Sequence, residues 1–135
     1  MIVSKENQNR VLVVEDDELL ARMLKTKLSG SGLIVDLAQN GEIGLQMAIK
    51  EKPDAIILDL LMPKMDGMTF LKTLRKDKWG EKAPVIIFTN LSASNKDLVH
   101  GVIEGAPVYY LIKSEWTPKD ILEKVREIIQ KNKVK

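Results

Sequence analysis

The chain has 135 residues, 44% of them hydrophobic and 30% charged, so one globular domain with a sizeable core is expected. The 21 Lys and Arg against 19 Asp and Glu leave a formal net charge of +2, a balance that argues against nucleic-acid binding through bulk charge. Cysteine is absent, which excludes disulfides and thiolate metal sites, and no apolar run approaches membrane-spanning length, so a cytoplasmic protein without membrane contact is expected.

Met1 to Asn9 reads as a polar arm, leaving residues 10–135 as the domain. Arg10 to Glu15 is an apolar run ending in acid, the pattern of a buried strand. Asp16 or Asp17 caps a first helix with Leu20, Met23, Leu24 and Leu28 at helical spacing, and Gly30 and Gly32 stop it. Leu33 to Leu37 is a short second strand. Asn40-Gly41 opens a second helix with Ile43 and Met47 inward and Leu45 and Ala48 as further inward candidates, weakened by Gly44 and blocked at Pro53. The third strand runs from Asp54 to Asp59. Asp66-Gly67 starts a third helix with Phe70, Leu71 and Leu74 on one face, which Trp79-Gly80 ends, and Pro84 leads into a fourth strand, Val85 to Thr89. A fourth helix is expected over Asn95 to Glu104, closed by Gly105-Ala106-Pro107. Val108 to Ile112 is the fifth strand, and Thr117-Pro118-Lys119-Asp120 is a capping-box-like start to a fifth helix whose stripe is Ile121, Leu122, Val125, Ile128 and Ile129.

Five strands alternating with five helices define a doubly wound parallel sheet, because each parallel connection needs a crossover and crossovers are right-handed. Ligands in such folds bind beyond the carboxyl ends of the strands. Those ends carry Glu15 and Asp16, Asp59, Thr89 and Lys113. Three converging carboxylates repel one another, and a hard divalent cation with oxygen ligands relieves this, Mg2+ best. The backbone carbonyl of Leu61 is a further candidate ligand. With Lys113 supplying charge and Thr89 a hydroxyl, the set suits phosphoryl transfer, with Asp59 as nucleophile forming an aspartyl phosphate.

These residues resemble the response-regulator receiver (CheY-like) family over essentially Arg10 to Gln130. Val13-Val14-Glu15-Asp16-Asp17 is similar to its acidic pair, and Leu58-Asp59-Leu60-Leu61-Met62-Pro63-Lys64-Met65-Asp66-Gly67 to its phosphorylation loop. Thr89 and Lys113 fall where the family has its hydroxyl and lysine. The resemblance implies a flavodoxin-like sheet of order 2-1-3-4-5 and phosphoryl transfer to Asp59 from the phosphohistidine of a sensor histidine kinase or phosphotransfer protein. It implies Mg2+ held by Asp16, Asp59 and the Leu61 carbonyl, with Glu15 acting through water. Thr89 and Tyr110 become the switch pair, and the fourth helix, fifth strand and fifth helix the face read by a downstream partner or output domain. Direct nucleic-acid binding is not implied, and homodimerisation on phosphorylation is admitted. The chain would catalyse its own phosphorylation and slow dephosphorylation without being a turnover enzyme. Ser114 stands where the family usually has a proline after the lysine.

Taken singly, the features have blander readings. Lys113 alone would be a solvated edge residue, Thr89 an ordinary strand threonine, His100 a solvent-facing histidine, and Trp79 and Trp116 packing. Three rival functions share the residues: a receiver acting as a phosphorylation-independent binding module, a Mg2+-dependent aspartyl-nucleophile phosphohydrolase, and a flavin-binding protein. The phosphohydrolase would need an acid two residues past Asp59, where Leu61 stands. The flavin protein would need a hydroxyl- or glycine-rich loop after the first strand, where acids stand.

Overall fold

A computed structural model describes residues 8–62, 64–90 and 108–133. Their order is β1 (Arg10–Val14), α1 (Glu18–Ser29), β2 (Ile34–Ala38), α2 (Gly41–Glu51), β3 (Ala55–Leu58), α3 (Gly67–Lys76), β4 (Val85–Thr89), β5 (Val108–Ile112) and a last helix, Pro118–Lys133. The strands form one parallel sheet in the order β2-β1-β3-β4-β5, the expected doubly wound topology. Four of the five expected helices are therefore seen. The first seven residues of the polar arm, and the helix expected over Asn95 to Glu104 with its Gly105-Ala106-Pro107 stop, lie outside the described residues. Among the described residues no helix is long and apolar enough to cross a membrane.

Alternation along the strands splits the core into two layers. Val11, Val13, Ala55, Ile57, Ile86 and Phe88 face α1 and the last helix, while Leu12, Val14, Ile56, Leu58, Val85 and Ile87 face α2 and α3. Burying each such side chain contributes about 1.5–3 kcal/mol, which is why strands apolar on both faces prefer the sheet centre. All five stripe residues of the last helix are buried, as its spacing predicts.

The helix starts follow the capping chemistry of the sequence. Asp17, Asn40 and Asp66 each accept a backbone N–H of the first turn, from Leu20, Ile43 and Thr69. Thr117 and Asp120 exchange hydrogen bonds ahead of the last helix. Two inward assignments are corrected. Met23 is 48% exposed while Ala21 is buried, and Ile43 is 43% exposed while Gly41 and Gly44 are buried beside the expected Ala48. In α2 the reason is proximity: a Cβ on Gly44 would stand 2.8 Å from the Val14 side chain, so only small residues fit between helix and sheet. The third helix also ends earlier than expected, at Lys76, and Trp79-Gly80 leads instead into a 3-10 turn over Gly80–Lys82.

That turn is clamped from behind. Arg75 Nη1 donates to the carbonyls of Gly80 and Ala83 at 2.7 and 2.8 Å, and burial pulls its guanidinium down to about 10, still charged at neutral pH. Arg75→Met should destabilise the fold by about 2–3 kcal/mol, because charge-assisted bonds to two carbonyls are lost together. Urea unfolding measures it, and a loss under about 0.5 kcal/mol, the size of an ordinary surface substitution, would contradict the clamp.

Candidate functional site

The site is built at the carboxyl ends of β1, β3 and β5, with β4 between the last two. Ladder pairing continues past β1 and β3: the Asp59 N–H donates to the Val14 carbonyl and the Glu15 N–H to the Ala38 carbonyl, at 3.1 and 3.0 Å. Asp59 is thus the first residue beyond β3, next to Glu15 on the neighbouring strand. Glu15 and Asp59 are buried, with Asp16 exposed at the rim. Carboxylate oxygens of Glu15, Asp16 and Asp59 lie within 4.8 Å of one another, a cluster able to hold a metal ion. Hard oxygen donors at this density match a small divalent cation.

Lys113, the first residue after β5, crosses to meet them. Its Nζ lies 2.7 Å from Glu15 Oε1 and 2.9 Å from Asp59 Oδ2, and its side chain is 15% exposed. It is a largely covered bridge rather than a solvated edge residue. Ser114, in the place of the family's usual proline, lies in a 3-10 turn, Lys113–Glu115, from which the ammonium still reaches both acids. Burial alone would lower the ammonium pKa, but the hydrogen bonds and charges of Glu15 and Asp59 outweigh it and leave it raised.

Glu15 shows the opposite balance. Burial, helped by the Asp59 charge, pushes its carboxyl up to about 7, against the downward pull of hydrogen bonds from Lys113 and the Asp17 N–H. Between about pH 4.5 and 7 the folded protein therefore binds a proton that the unfolded chain has released, and stability falls as pH rises through this window. In EDTA, Glu15→Gln should accordingly be more stable than the parent at pH 8, by about 1–3 kcal/mol, and about equal to it at pH 5. Thermal or urea unfolding at the two pH values checks it, and a gain independent of pH would disprove the account.

The other expected residues fall around this centre. Thr89 ends β4 and is fully buried, paired in register with Ile112, the residue before Lys113. Tyr110 is half-buried against the α2–α3 side of the core, and burial raises its phenol pKa. The Leu61 N–H donates to Asp59 Oδ1 at 3.1 Å, while its side chain is 54% exposed. Asp17 serves as the α1 cap. Two residues that sequence reading did not assign, Arg22 and Gln39, line a cavity of about 260 Å3 beside Glu15 and Asp16. For Gln39 the available signal was its place just past the end of β2. His100 lies outside the described residues.

Comparison with known proteins agrees with this arrangement. The response regulator receiver domain family matches residues 11–126. The response regulator MprA of Mycobacterium ulcerans is 31% identical over 125 residues, covering 93% of this chain and 52% of that protein. The chain spans about half the length of the curated relatives it matches. Among solved structures, a putative response regulator from Chloroflexus aurantiacus is 33% identical with a TM-score of 0.80, covering 92% of this chain and 99% of that one. The response regulator TrrA of Thermotoga maritima, solved in complex with Mg2+-BeF, is 31% identical with a TM-score of 0.75, covering 90% and 99%. With five parallel strands in the order 2-1-3-4-5 and an acidic cluster at their carboxyl ends, this chain belongs to the response regulator receiver domain family of two-component systems.

Proposed function

We propose that Asp59 accepts a phosphoryl group from the phosphohistidine of a sensor histidine kinase or phosphotransfer protein, and that residues 10–135 act as the receiver, preceded by a polar arm. One observation carries the reading: Asp59 is buried beside Glu15 and Asp16, with one carboxylate oxygen held by Lys113 and the other by the Leu61 N–H. An Asp59 oxygen bonds to phosphorus as the phosphorus–nitrogen bond breaks, and the electron pair stays with the imidazole nitrogen. Lys113 offsets the charge gathering on the phosphoryl oxygens, and the Leu61 N–H keeps the carboxylate oriented. Asp16, Asp59 and the Leu61 carbonyl would hold Mg2+, with Glu15 contributing through water. When bound, the ion supplies charge neutralisation between the acids and the incoming phosphoryl group.

Phosphorylation would add negative charge at the ends of β3 and β4. Thr89 and Tyr110, on adjacent strands, would carry the change to the face formed by the expected fourth helix, β5 and the last helix. A partner protein or output domain would read that face in the cytoplasm, with homodimerisation as one form of output. The chain would promote its own phosphorylation and slow dephosphorylation rather than turn over a substrate.

Intact mass after incubation with Mg2+ and acetyl phosphate tests this. One phosphoryl group should appear on the protein and none on Asp59→Asn, and EDTA should suppress the gain. Because the exposed Leu61 side chain cannot hydrogen-bond an attacking water, the adduct should decay slowly once donor is removed. Equal labelling of the Asp59→Asn protein would overturn the assignment.

A further inference from the structure

At the end of the sheet opposite Asp59, just before β3 and β4 begin, two cavities of about 300 and 430 Å3 share the Trp79 indole and Lys52 as lining. Lys82 and Asp54 also line the first, and Lys78 and Asp77 the second. We propose that these paired cavities bind a nucleoside phosphate, its base stacked on Trp79 and its phosphates against Lys52, Lys78 and Lys82.

Three observations converge on this ligand. The cavities carry net positive charge that the protein itself does not answer. The side chains of Lys52, Lys78 and Lys82 make no hydrogen bond or ion pair among the described residues, whereas both acids are already engaged: Asp54 Oδ2 accepts the Arg10 N–H and Asp77 Oδ2 the Gly80 N–H. The indole is half-buried and held in place. The turn after it is fixed by Arg75 and Asp77, and a Cβ on Gly80 would stand 2.2 Å from the Leu74 carbonyl oxygen, so the backbone beside Trp79 has little freedom to move. A rigid aromatic face beside lysines is how proteins stack a base while pairing its phosphates. Lys52 also adopts a left-handed backbone, φ 49°, at the α2 terminus, where glycine is the usual occupant. Backbone held in this region by a residue other than glycine clusters at ligand sites.

Size agrees: cavities of about 300 and 430 Å3 lie within the small-ligand range, which suits a mononucleotide better than a longer chain. The Asp59 chemistry plays no part in this site, so the two readings stand or fall separately.

The test is a two-dimensional NMR titration of the 15N-labelled full chain with ATP in EDTA, with adenosine and inorganic triphosphate as separate probes. The expected result is saturable shifts of the Trp79 indole N–H and of the Lys52 and Lys82 amides, with a Kd below about 1 mM. Added salt should weaken the binding, and adenosine and triphosphate should each bind more weakly than ATP. Lys52→Gln/Lys82→Gln, exposed positions that leave the core intact, should weaken ATP by about tenfold. Trp79→Phe keeps a ring for both folding and stacking and should bind within a few-fold of the parent. Shifts at the Leu61 and Lys113 amides instead, triphosphate binding as tightly as ATP, or no saturation by about 10 mM would each overturn the proposal.

Discussion

Lys113→Met should cost the metal-free protein about 3–5 kcal/mol of stability at pH 8, because removing its ammonium leaves two buried carboxylates facing each other. In the parent, the ammonium lies 2.7 Å from Glu15 and 2.9 Å from Asp59, whose side chains are 3% and 6% exposed, so water screens the pair poorly. The loss should depend on pH in a definite direction. Glu15 already titrates near 7 with the lysine present, and losing that hydrogen bond moves it higher. A folded-state pKa above the unfolded one makes stability fall as pH rises from about 4.5 through the folded value. Near pH 5 the variant holds a proton on Glu15 and should recover most of the loss. Millimolar Mg2+ at pH 8 should recover it as well, since an ion that binds only the folded state stabilises by mass action. Urea unfolding in EDTA and in Mg2+ at pH 5 and 8 reads all four conditions. Equal losses in all four would mean that Lys113 acts by packing rather than charge. Phosphorylation by acetyl phosphate should fall by about 10²-fold or more, the usual consequence of losing one group aimed at developing charge.

How much of this was legible in the sequence depends on how local each cause is. The strands were legible because runs such as Ile56 to Leu58 are apolar on both faces, and the caps because Asp17, Asn40, Asp66 and Thr117 act within three residues of themselves. Boundaries moved slightly: β2 runs Ile34–Ala38, one residue later than expected, and β3 stops at Leu58, leaving Asp59 as the first residue past the strand. Helix facing failed where burial is not carried by large side chains. Hydropathy placed Ile43 inward, but α2 lies so close to Val14 that Gly44 takes the inner position. Met23 failed for a related reason, since Ala21 and Leu24 suffice to fill the contact below α1. In the site, the acids could be listed from the strand ends, yet nothing local said that Lys113 would reach a carboxylate 54 residues earlier in the chain. The strand-end rule had placed Lys113 in the same crevice as the acids, but not in ion pairs with Glu15 and Asp59. The Arg75 clamp and the Trp79 cavities join segments through tertiary packing, and no spacing rule points to them.

Gly67→Ala should cost about 3 kcal/mol and slow phosphorylation as well. Gly67 opens α3, and its N–H donates to the Leu60 carbonyl at 3.1 Å, so the helix begins directly against the loop that carries Asp59. A Cβ there would lie 2.5 Å from Leu60 Cα and 2.7 Å from the Asp59 carbonyl oxygen. Neither neighbour is the end of a flexible side chain. The backbone itself must give way, either by lifting α3 off the core, where Phe70, Leu71 and Leu74 are fully buried, or by displacing Asp59 from Lys113. The first route costs stability and the second costs chemistry, because displacing a catalytic group by about 1 Å can cost about 10²-fold in rate. Gly32→Ala is the matched control. Gly32 has φ +89° but nothing within 4 Å of an added Cβ, so it should lose only the about 1–2 kcal/mol of left-handed backbone strain and phosphorylate normally. Unfolding free energies and acetyl phosphate labelling rates for the two variants separate steric pressure on the phosphorylation loop from a general intolerance of alanine at glycine positions. A Gly67→Ala protein as stable and as quickly labelled as Gly32→Ala would show that the close approach of α3 does not hold Asp59 in place.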